Sequence, residues 1–137
     1  MKVAIIGSRL FNNYEHMCNK INELTKEQNI SIIDITEIIS GGAMGADKLA
    51  EKFADDNNIF KNIIKPNYKD PEMIKKYGKK RWGQIAPLER NGEIVRLCDI
   101  VIAFPFSGSN GTLDAIKKAK KINKQVYIFP VDDFIQK

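Results

Sequence analysis

Apolar and polar positions along the chain switch between two periods. The run Lys2–Ile6, apolar from Val3 on, stops at Gly7, the pattern of a strand covered on both faces. Over 13–28, Met17, Ile21 and Leu24 recur at helical spacing. Residues 30–39 are rich in β-branched side chains and stop at Ser40-Gly41-Gly42. A core strand is expected at 37–40, with a separate short extended piece at 30–35. A helix is expected over 45–57. Ala46, Leu49, Ala50, Phe53 and Ala54 share one face, while Asp47, Lys48, Glu51 and Lys52 take the other. A third strand at 60–64 is closed by Pro66. Residues 67–86 are the least regular stretch, with a short helix expected at 72–77. Pro87 reads as the start of a helix running to about 97. A strand at 99–104, a helix at 111–122 and a last strand at 125–129 complete the order β-α-β-α-β-α-β-α-β.

Strands alternating with helices imply an α/β fold. The expected architecture is a Rossmann-like three-layer sandwich around a mostly parallel sheet of about five strands, one domain over 1–137. In such sheets ligands sit beyond the carboxyl ends of the strands. The unusual glycine and polar residues should therefore follow strands, and they do. Gly7-Ser8-Arg9 follows the first strand. Gly41-Gly42-Ala43-Met44-Gly45-Ala46-Asp47 follows the second and opens a helix. Ser107-Gly108-Ser109-Asn110-Gly111-Thr112 follows the strand at 99–104 and opens another.

A phosphate needs backbone N–H groups with no side chain in the way, and a helix start offers such groups with a partial positive charge. Each contact of that kind contributes about 0.3–1 kcal/mol, up to about 2 when partly buried. Gly45 and Gly111 are both expected to leave space for an anion, so that valine at either blocks it in a folded chain. Neither turn is a Walker loop or a dinucleotide fingerprint. Arg90-Asn91, near the start of the expected helix at 87–97, adds a planar cation for phosphate and an amide for a ribose hydroxyl or base edge. Phe11, Phe104 and Phe106 lie near the turns, as base-pocket, core or interface residues.

Composition narrows the classes. Hydrophobic residues are 43% and charged residues 28% of the 137, ordinary for a globular chain. No apolar run approaches the roughly 18 residues of a membrane span, and the first residues read as a strand rather than a leader. A cytoplasmic location without membrane contact is expected. Cys18, Cys98 and His16 lack metal-ligand spacing, so neither a metal nor a cofactor is expected. Reduced, buried or partly buried cysteines and a surface histidine fit this reading. The formal net charge of +5 gathers in the basic, aromatic segment 75–82 and in a lysine cluster at 117–121. It suits a nucleic acid, an anionic small ligand or plain solvated helix faces.

At these residues the sequence resembles the SLOG superfamily, in its YspA/YpsA-related branch. The resemblance rests on Gly7-Ser8-Arg9, on the turn from Gly41 to Asp47, on Arg90-Asn91 and on Gly108-Ser109-Asn110-Gly111-Thr112-Leu113-Asp114 in that order. The run from Lys65-Pro66 through Tyr77-Gly78 to Ala86-Pro87 extends it. It implies a Rossmann-like fold that binds nucleotides or nucleotide-derived ligands and associates as a homodimer or larger. Relatives include LOG-type phosphoribohydrolases, DNA-processing DprA proteins and sensor domains for NAD- or ADP-ribose-derived signals. The LOG enzymes carry Pro-Gly-Gly-x-Gly-Thr-x-x-Glu. Here Ala115 stands at the glutamate position and Asp114 comes one residue early, a rotation of about 100° on a helix.

Three readings follow. The first is a sensor, carrier or sequestering protein for a nucleotide-derived small molecule, which needs no catalytic carboxylate. The second is a hydrolase of nucleotide N-glycosidic bonds, with Asp47 or Asp114 as the candidate catalytic group. The third is single-stranded nucleic-acid binding, with bases stacked on Tyr77 or Trp82.

Overall fold

The computed structural model describes residues 1–135. Strands β1 (Lys2–Gly7), β2 (Glu37–Ser40), β3 (Phe60–Ile63), β4 (Ile100–Phe104) and β5 (Gln125–Ile128) form one sheet. Its order is β3-β2-β1-β4-β5 and every pairing is parallel. Strand order reverses beside β1, so the crevice at the carboxyl ends of β1 and β4 is the place for a ligand.

Helices α1 (Tyr14–Glu27) and α2 (Ala46–Asp56) cover one face of the sheet. Helices α4 (Lys79–Leu97) and α5 (Asn110–Lys121) cover the other, and α3 (Pro71–Tyr77) precedes α4. Strand side chains alternate between the faces. Val3, Ile5, Ile38 and Ile102 point to the α1–α2 side, and Ala4, Ile6, Ile39 and Val101 to the α4–α5 side. The register keeps these sets aligned, with Ala4 opposite both Ile39 and Val101. This is the expected Rossmann-like three-layer architecture.

Local chemistry marks the helix ends. Asn13 caps α1, its side chain accepting the His16 N–H at 3.0 Å. Asn29, Asn58 and Asn123 follow α1, α2 and α5 with φ of 54°, 55° and 61°. Asparagine tolerates this left-handed conformation after glycine itself. Among the described residues no helix is long and apolar enough to cross a membrane.

Three expectations are corrected. The segment 30–35 is not extended but holds a 3₁₀ turn, Ile32–Asp34. The chain turns there, exposing Ile33 and bringing Ile35 into the core. His16 is half-buried, its ring 4.1 Å from that of Phe134 and 6.1 Å from that of Phe11. Burial, then Lys20, lowers its pKa. The largest change concerns Pro87, which lies inside α4 rather than at its start. The break falls at Gly78 instead, where φ is 83°.

Tertiary anchoring explains the longer helix. Trp82 is 4% exposed, its Nε1 donates to the Asn67 carbonyl at 2.7 Å, and its ring stacks beside Tyr77. Ala86 is buried as well. A buried tryptophan is worth about 3–5 kcal/mol against alanine, enough to offset the roughly 3 kcal/mol that proline costs a helix interior. Trp82→Ala is therefore expected to lower the unfolding free energy by about 3–5 kcal/mol in urea titration. Trp82→Phe, which removes only the hydrogen bond and part of the ring, should lose about 1 kcal/mol. Equal, small losses for both would mean that this side chain does not hold the turns before Pro87.

Candidate functional site

The glycine turns meet at the carboxyl edge of β1 and β4. Ser8 donates its N–H to the Phe104 carbonyl at 3.0 Å, and its own carbonyl accepts the Ala46 N–H at 3.0 Å. A Cβ on Gly7 would stand 2.6 Å from the Phe104 oxygen and 2.7 Å from Ala46 Cβ. The turn after β1 therefore packs against the start of α2 with no room for a side chain between them.

Above this junction lies a cavity of about 430 Å³, within the range of small-molecule sites. Gly7, Ser8 and Arg9 line it from the first turn, and Gly41 and Asp47 from the second. Arg90 and Asn91 line it from α4. Gly108, Ser109, Asn110, Gly111 and Thr112 line it from the third turn. Phe106, one of the three aromatics expected near the turns, adds apolar wall, together with Leu10, Leu88 and Ile94, which the sequence pattern does not point to. Phe11 and Phe104 are instead fully buried in the core, their rings stacked at 5.5 Å.

The two helix starts differ. Gly45 precedes α2 with φ of 74°, and a Cβ there would lie 2.4 Å from the Ser8 and Arg9 backbone. It serves the fold and does not line the cavity, contrary to the expectation that it leaves space for an anion. Ala46 is buried behind it. Asp47 then occupies the first turn of α2 and accepts the Ala43 N–H at 3.1 Å. It is 7% exposed, not on the solvent face that the helical pattern suggested. A fixed carboxylate thus already sits at this terminus.

The start of α5 carries no acidic residue in its first turn. The Ser109 hydroxyl donates to the Phe106 carbonyl and does not cap the helix. The amides of Asn110, Gly111 and Thr112 find no acceptor in the chain among the described residues. Nothing lies within 4 Å of a Cβ built on Gly111. Unpaired donors, a partial positive charge and open space coincide here.

Arg90 and Asn91 lie well inside α4, not near a helix start, and they tie the turns together. Arg90 Nη1 donates to the carbonyls of Gly41 at 2.6 Å and Ile64 at 3.4 Å, and Nε to Asn91 Oδ1 at 3.2 Å. Its Nη2 donors have no acceptor among the described residues. Burial lowers the Arg90 pKa, and Asp47 opposes that shift. Asn91 Nδ2 is engaged by the Gly111 carbonyl at 3.1 Å and Asp114 Oδ2 at 3.3 Å. Asp114 does not line the cavity and pairs with Lys118 at 3.0 Å. Among the described residues, Asp47 is the one carboxylate that lines it. Burial pushes its pKa up to about 6, against the Ala43 amide and then Arg90. No group of three or more metal-ligating side chains occurs among the described residues.

A second cavity of about 280 Å³ adjoins the first, and Gly41, Arg9 and Arg90 line both. Ala43 is shared as well, and Gly42, Lys65, Pro66 and Tyr68 complete the lining. Lys65 and Tyr68 follow β3, so the rule that sites follow strands would have found them.

A family model described as "YspA, cpYpsA-related SLOG family" matches residues 1–70, half of the sequence, including the first two glycine turns. The chain belongs to this SLOG family. No curated protein matches it. Among solved structures, DNA processing protein A (DprA) of Streptococcus pneumoniae is similar over 95% of this chain and 50% of its own, at 22% identity and a TM-score of 0.65. DprA of Helicobacter pylori, described for its single-stranded DNA binding mode, is similar over 96% of this chain and 66% of its own, at 24% identity and 0.60. The structural-genomics target TM1055 is similar over 91% and 71%, at 15% identity and 0.58. At these identities the likeness shows the fold, and this SLOG chain spans only part of either DprA.

Two outcomes are expected of variants at this site. Gly45→Ala should be strongly destabilised, by more than about 2 kcal/mol, because left-handed strain adds to a backbone clash. Gly111→Ala should gain about 0.5–1 kcal/mol as a helical alanine. Thermal melts of the pair check this, and similar melting points would contradict the division of roles.

Asp47 makes stability depend on pH. Its folded pKa of about 6 lies above the ordinary 3.8, so the folded chain holds the proton more tightly. This contribution is fully present below about pH 4 and is lost as pH rises through 6. Asp47→Asn should thus gain up to about 3 kcal/mol over wild type between pH 4 and pH 7.5, in urea unfolding at both. An unchanged difference would show that the carboxyl is not desolvated.

Proposed function

We propose that this SLOG chain binds a phosphate-bearing nucleotide or nucleotide-derived small molecule, as a sensor, carrier or sequestering protein. The observation that carries the reading is one cavity edged by the unpartnered amides of α5 and the open Nη2 donors of Arg90. Both are phosphate-binding chemistry, and neither is taken up by the fold. The phosphate lies on the Asn110–Thr112 turn rather than on α2, where Asp47 would repel it. The ring system of the ligand packs on Leu10, Leu88 and Phe106.

A second reading is hydrolysis of a nucleotide N-glycosidic bond. It is favoured by Asp47, a cavity carboxyl that keeps its proton to about pH 6 and so suits proton donation to a leaving base. Base stacking on Tyr77 or Trp82, the mode expected for single-stranded nucleic acid, has less support at Trp82, which is buried and hydrogen-bonded, than at the half-buried Tyr77 beside it.

Equilibrium dialysis against nucleoside monophosphates, NAD, ADP-ribose and cyclic ADP-ribose forms, read by mass spectrometry, separates the readings. A nucleotide retained intact is the expected outcome, and free base or ribose phosphate would mean an enzyme. With nothing retained or cleaved the small-nucleotide reading falls and nucleic acid leads. Gly111→Val should abolish retention in a folded protein. Arg90→Ala should weaken it by about 1.5–3 kcal/mol, the range for hydrogen bonds to charged groups.

A further inference from the structure

The third glycine turn is held from two sides. Asn91 on α4 holds it through the Gly111 carbonyl. On the α1–α2 side, the chain beyond β5 runs along the entry to the same turn. Phe129 donates its N–H to the Ala103 carbonyl at 2.8 Å, and Val131, fully buried, donates to the Pro105 carbonyl at 2.9 Å. Pro105 has no N–H, and that of Phe106 is taken inside the turn by Ser109 Oγ at 3.0 Å. Ser107 is therefore the first residue past β4 whose amide is offered outside the turn. The Asp132 carboxylate accepts it at 2.8 Å.

The segment that carries Asp132 is fastened at its other end. A 3₁₀ turn, Asp132–Phe134, brings the Phe134 ring to 4.1 Å from that of His16 and 6.2 Å from that of Phe11. Ring contacts of this kind favour one arrangement over its neighbours. Phe11 itself donates its N–H to the Ser8 carbonyl at 3.3 Å, in the first glycine turn. Residues 131–135 thus reach from the entry of the third turn to α1 and the loop before it. Neither Asp132 nor Phe134 lines the cavity. By charge alone an acid beside the entry to α5 weakens anion binding. Its hydrogen bond, not its charge, accounts for its place.

We propose that residues 131–135 form a latch on the third turn, with Asp132 as a positioning residue. Its carboxylate sets the chain entering α5 so that the open amides of Asn110–Thr112 meet the cavity, and Phe134 on His16 keeps the latch shut. The inference rests on the reading of the cavity as a nucleotide site. It adds that affinity is set from outside, by side chains that touch no ligand. Whatever lifts Phe134 from His16 weakens binding, and bound ligand tightens the latch by the same factor.

The test compares Asp132→Ala, Asp132→Asn and Phe134→Ala with wild type. Residue-resolved amide exchange is read without ligand, and calorimetry reads binding of AMP, ADP and ADP-ribose. The amides of Phe106, Ser109 and Leu113 bond within the turn and the start of α5, and none of them touches Asp132. In Asp132→Ala they should exchange about five-fold faster or more, with β1 unchanged, because a charge-assisted hydrogen bond is lost. Affinity for the tightest of the three nucleotides should fall by a similar factor. Asp132→Asn, whose side-chain oxygen still accepts the Ser107 N–H, should keep most of both. Phe134→Ala should speed exchange of the Ser107 amide, which it does not touch, and weaken binding. If Asp132→Ala leaves exchange in the turn or affinity unchanged, the latch is overturned while the nucleotide reading stands. If Asp132→Ala and Asp132→Asn both bind more tightly than wild type, Asp132 acts only as a charge and the positioning role is overturned. If wild type binds none of the three nucleotides, the nucleotide reading falls, and faster exchange in Asp132→Ala still upholds the latch on the turn.

Discussion

Everything at the carboxyl edge of the sheet depends on one close approach of backbone to backbone. The turn after β1 and the first residue of α2 touch through the Ser8 carbonyl and the Ala46 amide. Gly7 and Gly45 permit it, because a Cβ on either would fall inside its neighbours. This contact sets the height at which α2 begins. It thereby sets where Asp47 enters the cavity and how far the cavity floor lies below α5.

The same edge sorts charge. Helix α2 meets the cavity with a carboxylate at its positive end, whereas α5 meets it with bare amides. A third element, α4, spans the two. Arg90 holds the second turn through the Gly41 carbonyl, and Asn91 holds the third through the Gly111 carbonyl. Adjacent residues of one rigid helix thus fix the spacing between the negative and positive sides of the cavity. The phosphate-binding chemistry proposed here requires that the spacing not relax when charge arrives.

Much of this was legible in the sequence because two signals do not depend on distant residues. Hydrophobic period located β1, β2, α1 and α2 to within a residue or two, and glycines after strands located the three turns. The misreadings share a cause in tertiary contact. Pro87 carries a local signal for a helix start, but the burial of Trp82 against Asn67, fifteen residues away, outweighs it. Asp47 sits on the polar side of its helical wheel, yet the second glycine turn folds back on it, with the Ala43 amide on its carboxylate and Gly41 and Arg90 beside it. Asn91, expected to meet a ligand, does line the cavity, but its contacts to Gly111 and Asp114, twenty or more residues away, were not legible. Gly45 and Gly111 are indistinguishable as letters. Only the neighbouring backbone shows that one must be glycine to fold and the other has open space above it.

Proline in the middle of α4 has a mechanical meaning. Its missing N–H removes one rung of the helical ladder between the half that carries Trp82 and the half that carries Arg90 and Asn91. The outer half, together with α3, which buries none of its own side chains, is pinned mainly by Trp82. The inner half is fastened to both sides of the cavity. The chain from Asn67 to Ala86 is thus a natural unit of local opening. It can exchange its amide protons with solvent at a lower free energy than the sheet while the Arg90–Asn91 segment stays closed.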